Sequence, residues 1–256
     1  CLQKNAGQIS EAAEDILREK FPETDLAGAL LLEAACQALA KDNTPASEVD
    51  PDLALVLSTN FALLEAHEWL WQEKMDTNEV STESFELIEN FLPEAAAFLG
   101  CGGPVAQLSL SCASGLAGLV IARDWLLSGK AKRVLVASYD LLSEFSWWGL
   151  YNLRTITTDK MCPFDENRSG TLFSEGAAAV LLSLEDESSK EQGEALAYLR
   201  SAAVNNNAFH ITAPVPEAEG SRKVMQEAIR LAGIDPDDIE HICAHATSTL
   251  ANDKTE

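Results

Sequence analysis

The sequence predicts an α/β protein, and three observations lead to that class. From residue 105 onward, short apolar runs alternate with helical patterns. The run Leu53-Ala54-Leu55-Val56-Leu57 is apolar without interruption, as expected of a strand covered on both faces of its sheet. The 256 residues are 46% hydrophobic and 23% charged, which supports a packed core despite a net charge of −23 from 18 Lys+Arg against 41 Asp+Glu. A chain of this length removes roughly three quarters of its unfolded surface from water on folding.

Taken in order, Ile9 to Lys20 has helical spacing through Ile9, Ala12, Ile16 and Leu17. Asp25 is placed to cap an Ala/Leu-rich helix reaching about Ala40. Residues 53–57 form the strand, and 61–74 and 83–99 read as helices, the second behind the capping stretch Ser81-Thr82-Glu83-Ser84. Trp69 and Trp71 in the first of these are expected to pack. Val105 to Ser111 is a strand, Ala113 to Leu127 a helix and Arg133 to Ser138 a strand, a βαβ unit that predicts a parallel pair with a right-handed crossover. Beyond it lie a strand at Ala177–Leu184, one near Leu196–Val204, a helix at Glu219–Ala232 and a strand at His241–Ala244. The charged connector Glu185 to Glu194 divides the chain into 1–193 and 194–256.

Composition excludes several function classes. A chain at −23 repels phosphate unless it concentrates basic residues, so nucleic acid is not an expected partner. No run of about 18 uncharged apolar residues suggests a membrane span. Six scattered cysteines, without a C-x-x-C pair or a His at ligand spacing, predict neither a zinc site nor a disulfide scaffold, and point to a reducing, cytoplasmic setting. No basic-then-apolar leader opens the sequence. Cys1 in place of Met, and an end at Asn252-Asp253-Lys254-Thr255-Glu256, suggest a sequence cut at both ends.

Cys112, in Leu108-Ser109-Leu110-Ser111-Cys112-Ala113-Ser114-Gly115, stands where a buried strand turns into a helix among small residues. Amides at a helix N-terminus stabilise a thiolate, so this position suits a nucleophile. It suits a core cysteine equally well. The second segment, Ile239-Glu240-His241-Ile242-Cys243-Ala244-His245-Ala246-Thr247-Ser248-Thr249, puts His245 at a strand end beside hydroxyls and favours the nucleophile.

Cys112-Ala113-Ser114-Gly115, then Cys162-Pro163-Phe164-Asp165 with Arg168-Ser169-Gly170 and Glu175-Gly176-Ala177, then Phe209-His210-Ile211-Thr212-Ala213-Pro214, then His245-Ala246-Thr247-Ser248-Thr249 with Asn252-Asp253, resemble the successive signatures of the β-ketoacyl synthases. These are the 3-oxoacyl-acyl-carrier-protein synthases of the thiolase-like superfamily. The resemblance runs from about Gly100 to Glu256, and its four motifs agree in order and spacing. It implies a layered αβαβα fold of mixed sheets and helices, with the opening strand missing and the C-terminal half incomplete.

The resemblance also implies roles. Cys112 matches the acylated nucleophile, and its backbone N–H matches one of two oxyanion donors, each worth about 3–4 kcal/mol. His245 matches the first of two histidines that polarise the malonyl thioester. Thr247 and Thr249, with Thr212, match groups on the phosphopantetheine arm of a carrier protein. Asp253 and Glu256 match acidic positions behind the histidines, Glu175 a hydrogen-bonded carboxylate, and Arg154 a basic position facing the carrier. No resident cofactor or metal is implied, since pantetheine arrives on the acyl carrier protein, and a homodimer or synthase heterodimer is expected. The family's second histidine, its lysine and its glycine-rich loop have no match within the 256 residues, and neither His210 nor His241 replaces the histidine. Ala246, Ser174 and Ala178 stand at usual glycines, which matters wherever φ is positive. The activity implied is decarboxylative Claisen condensation; a non-catalytic partner subunit or inactive fragment, and a thiolase-like acyltransferase without decarboxylation, are the alternatives. Seven of the basic residues fall between Arg123 and Arg168, while residues 42–122 hold only Lys74, which directs an acidic carrier toward that stretch.

Overall fold

The computed structural model describes residues 6–40, 46–79, 82–185, 195–210 and 215–256. Elements follow in the order β1 (Ala6–Gly7), α1 (Glu11–Lys20), α2 (Leu26–Ala38), β2 (Leu53–Ser58), α3 (Leu64–Thr77), α4 (Thr82–Leu99), β3 (Val105–Leu108), α5 (Ser114–Leu127), β4 (Arg133–Asp140), α6 (Glu144–Asn152), β5 (Phe173–Ser174), β6 (Gly176–Ser183), α7 (Glu219–Ala232) and α8 (Leu250–Thr255). The chain forms two compact units: residues 8–146 with 174–194, and residues 147–173 with 195–256 plus the N-terminal seven.

The first unit is built on a mixed sheet of order β3-β2-β4-β6. β2 is parallel to β3 on one side and to β4 on the other, whereas β6 runs antiparallel to β4. The predicted βαβ strands are therefore parallel but not neighbours, because β2 lies between them. Every residue of β2 is buried. Its alternation sends Leu53, Leu55 and Leu57 into a core with α1, α2 and α4, and Ala54 and Val56 into a second core with Ala122 and Leu126 of α5. Burying each of those leucines contributes about 2 kcal/mol.

Helix ends follow their caps. Ser10 accepts from Ala13 N and starts α1 two residues after Ile9, and Asp25 caps α2 as the sequence predicts. The stretch 81–84 offers no cap to describe, since Ser81 and the side chains after it lie outside the described set. Trp69 and Trp71 do not pack: they are 66% and 62% exposed, on a helix with no buried residue. β3 stops at Leu108 instead of reaching Ser111, because the chain turns there with Ser111 at φ +52° and leaves the ladder.

In the second unit α7 spans the predicted Glu219–Ala232, ended by Gly233 at φ +67°. Segments 196–204 and 241–244 are not strands. A strand exists only through its ladder, and among the described residues neither segment pairs with a neighbouring strand. The connector expected at 185–194 lies, after Glu185, outside the described residues.

Candidate active-site segments

In the sheet unit the Cys112 turn is assembled from the ends of β2 and β3 and the start of α5. Ser114, 3% exposed, is its centre. Its Oγ accepts from Leu110 N at 2.7 Å and lies 2.8 Å from Thr59 O and 2.6 Å from Ser111 O, which compete for its one proton. Ser109 Oγ donates to Asn60 O at 3.0 Å. These bonds hold Ser111 in the left-handed region, which costs a non-glycine residue about 1 kcal/mol. Cys112 follows it, exposed, two residues before α5. Helix α5 can approach the sheet closely because residue 118 is glycine: a Cβ there would lie 2.6 Å from Ser58 Oγ and 2.9 Å from Val136 Cγ1. The arrangement presents a thiol to solvent, at the positive end of a helix, on a turn fixed from beneath.

In the other unit, His245, Thr247, Thr249, Asp253 and Glu256 come together on one loop and the short helix α8. Glu256 accepts from His245 N and Ala246 N, both at 2.8 Å. Asp253, 7% exposed, accepts from Ser248 N at 3.0 Å and Phe164 N at 2.8 Å, with Arg168 Nε at 3.7 Å. Ser248 Oγ accepts from Cys162 N at 3.0 Å, which ties the 162–165 motif to the histidine loop. Thr247 Oγ1 and Thr249 Oγ1 are 2.9 Å apart, and Thr249 caps α8. Ala246 has φ +50° and Ser248 φ +64°, so the first stands in a conformation that favours glycine. Ser174 and Ala178 carry no positive φ. Gly170 is required here: at φ +147°, a Cβ would lie 2.5 Å from Thr155 O. His245 is exposed.

Cys112 thus belongs to one compact unit and His245 with its companions to the other. Glu175, in the sheet unit and half-buried, accepts from Ile9 N at 2.9 Å and Leu142 N at 3.4 Å. Arg154 is exposed at φ +56°. Of the basic residues in that stretch, Lys132 pairs with Asp52, Arg133 with Asp50 and Arg168 with Asp253, so these three are engaged within the chain. Trp147 is 4% exposed and stacks on Tyr151 at 5.2 Å, while Trp148 is 46% exposed. His210 is exposed, and Thr212 lies outside the described residues. Among the described residues no group of three or more His, Cys, Asp or Glu is placed to hold a metal, and no helix is long and apolar enough to cross a membrane.

Sequence reasoning missed Ser114, Ser248 and Asp140, whose carboxylate accepts from Thr59 Oγ1, Asn60 N and Phe61 N. A signal existed for Asp140: an acidic residue closing a strand whose middle, residues 134–137, is apolar needs donors to satisfy it. Ser248 gave none, because its partners at Cys162 and Asp253 are set by tertiary structure.

Comparison with known proteins agrees with the motif pattern. The profile of the β-ketoacyl synthase N-terminal domain matches residues 1–188, and that of the C-terminal domain matches residues 196–256. The 3-oxoacyl-[acyl-carrier-protein] synthase 2 of Mycobacterium leprae is 28% identical over 230 residues, covering 84% of this chain and 54% of its own length. Nodulation protein E of Rhizobium leguminosarum bv. trifolii is 30% identical over 173 residues, covering 64% of this chain and 42% of its own length. The chain spans about half the length of the curated relatives it matches. Among solved structures, a type II polyketide ketosynthase in complex with its acyl carrier protein superposes with a TM-score of 0.82 at 22% identity, covering 90% of this chain and 60% of its own. That likeness shows a shared α/β fold.

Proposed function

We propose that this chain, which belongs to the β-ketoacyl synthase family, carries the nucleophile of a decarboxylative Claisen condensation in fatty-acid or polyketide synthesis. The Cys112 thiolate attacks the carbonyl of an acyl-carrier thioester; the C–S bond to the carrier breaks, and the carrier leaves as its thiolate, which takes a proton from water. A malonyl carrier then loses CO₂, and its enolate carbon attacks the acyl-Cys112 carbonyl. A C–C bond forms, the cysteine thiolate is expelled, and the product is a 3-oxoacyl carrier. His245 polarises the malonyl thioester carbonyl. The Cys112 N–H steadies the oxyanion of each tetrahedral intermediate. Thr247 and Thr249 hydrogen-bond the pantetheine arm, and Asp253 and Glu256 fix the backbone that carries the histidine. Arg154 meets the acidic carrier. We assign the reaction to the cytoplasm and to a dimer with no resident cofactor, and divide the sequence into an N-terminal half of residues 1–193 and a C-terminal half of residues 194–256.

The observation that carries this reading is the exposed Cys112 thiol on a turn fixed by Ser114, at the start of α5. A non-catalytic partner subunit would have no use for that arrangement. The test is incubation of this protein with an acyl-carrier thioester, followed by peptide mass spectrometry. The Cys112 peptide gains the acyl mass, and Cys112→Ala abolishes the transfer. Undiminished acylation of the variant removes Cys112 from the role.

A further inference from the structure

We propose that Asp140 is a positioning residue for Cys112, acting through the turn after β2 and through Ser114. Asp140 closes β4 and is half-buried. Its Oδ1 accepts from Thr59 Oγ1 at 2.9 Å, Asn60 N at 2.9 Å and Phe61 N at 3.1 Å, and Oδ2 lies 3.1 Å from Asn60 N. Thr59 Oγ1 in turn accepts from Ala62 N at 2.8 Å, which sets the chain at Ala62, φ +54°. One carboxylate therefore gathers the donors of residues 59–61 and fixes where their carbonyls point.

Two of those carbonyls reach the nucleophile turn. Asn60 O receives Ser109 Oγ, and Thr59 O receives Ser114 Oγ. The two serines flank Cys112, three residues before it and two after. Ser114 also takes Leu110 N and lies against Ser111 O, so it holds the strained Ser111 that precedes the thiol. The path from Asp140 to Cys112 thus consists of hydrogen bonds among side chains and backbone of one compact unit, with Thr59 and Ser114 only 1% and 3% exposed. Asp140 does not touch the reacting atoms; it fixes the turn that presents Cys112 at the start of α5.

The inference rests on Cys112 being the acylated nucleophile, but its test does not use acyl transfer. Alkylation of Cys112 by iodoacetamide is followed against pH in the wild-type protein and in Asp140→Ala, Asp140→Asn and Ser114→Ala, with Cys243 as the internal reference and circular dichroism to check folding. Asp140→Ala and Ser114→Ala slow Cys112 alkylation at neutral pH by about threefold to tenfold and move its pH midpoint upward, because the thiolate loses its alignment with the helix amides. Cys243 alkylation is unchanged. Asp140→Asn keeps an acceptor at Oδ1 and stays within about twofold of wild type. Equal Cys112 profiles in all four proteins overturn the proposal, as does a loss in Asp140→Asn equal to that in Asp140→Ala. Should Asp140→Ala fail to fold, Asp140→Ser, whose short side chain cannot reach the donors of residues 59–61, takes its place under the same criteria. If acyl donors never label Cys112 while the alkylation pattern holds, the proposed function fails and the positioning role stands.

Discussion

The two segments that carry the candidate chemistry are held by opposite means. The Cys112 turn rests on a sheet whose central strand is wholly buried, and its one strained residue is stabilised by serines that reach down to that strand's end. The His245 loop has no strand beneath it among the described residues. Its shape comes from two carboxylates, Asp253 and Glu256, which between them accept four backbone N–H groups. The Cys112 turn adds the hydrogen bonds of Ser109 and Ser114 to that buried sheet, so losing one of them leaves the sheet beneath intact. A loop tied by two acidic side chains concentrates its order in a few bonds, and each is a single point of failure.

The largest effect that follows is at Asp253. Asp253→Ala leaves Ser248 N and Phe164 N without acceptors, and Ser248 is fully buried. The buried Ser248 amide left unsatisfied costs about 1–3 kcal/mol of local stability, and the amide of Phe164, a residue 54% exposed, adds less. Hydrogen exchange checks it directly. The amides of Phe164 and Ser248 lose protection, while those of β2 keep theirs. Equal loss in β2 would break the distinction between the two segments.

That asymmetry also explains what the sequence could reveal. The sheet was legible because burial on both faces writes itself as an apolar run, as in residues 53–57, and because an amphipathic pattern marks α7. The expected strands at 196–204 and 241–244 have the same apolar look, but a ladder partner cannot be read from a segment alone. The tryptophans of α3 misled for a related reason: residue type predicts burial only where another element covers the side chain, and both Trp69 and Trp71 are exposed. At the site, Cys112 and His245 stood out through their types and motifs. The bonds that shape their backbones join residues such as Asp140 and Thr59, or Cys162 and Ser248, that are about 80 positions apart. No local pattern records such a pairing.

Carboxylates stabilise the loop unit, but one of them burdens the sheet unit, and this sharpens the contrast. Glu65, at the start of α3, is pushed up to about 7 from an ordinary 4.5, first by burial and then by repulsion from Glu175, Asp25, Glu68 and Glu14. Glu175 is fixed by the amides of Ile9 and Leu142 and cannot move away. Because the folded value lies above the unfolded one, the folded state binds the proton more tightly. The stability this confers is complete below about 4.5 and is lost as pH rises through about 7. Glu65→Gln removes the charge, so the variant is more stable than wild type at about pH 8, by about 1–2 kcal/mol once partial exposure is allowed for. The two converge near pH 4. Denaturant unfolding at the two pH values measures this, and a gain of the same size at both would show that packing, not charge, is responsible.

The smallest effect tests the loop at its backbone. Ala246 holds φ +50°, between the two amides that Glu256 accepts and the residue whose amide Asp253 accepts. A Cβ in the left-handed region costs about 1 kcal/mol, which Ala246→Gly recovers. The variant's unfolded chain gains conformational freedom, and this offsets about half of the recovery. The net expectation is a stabilisation of about 0.5 kcal/mol, read as a small rise in the denaturant midpoint with an unchanged slope. A variant less stable than wild type would show that the carboxylate bonds do not hold residue 246 in the left-handed region. The loop would then be ordered by contacts other than those carboxylate bonds.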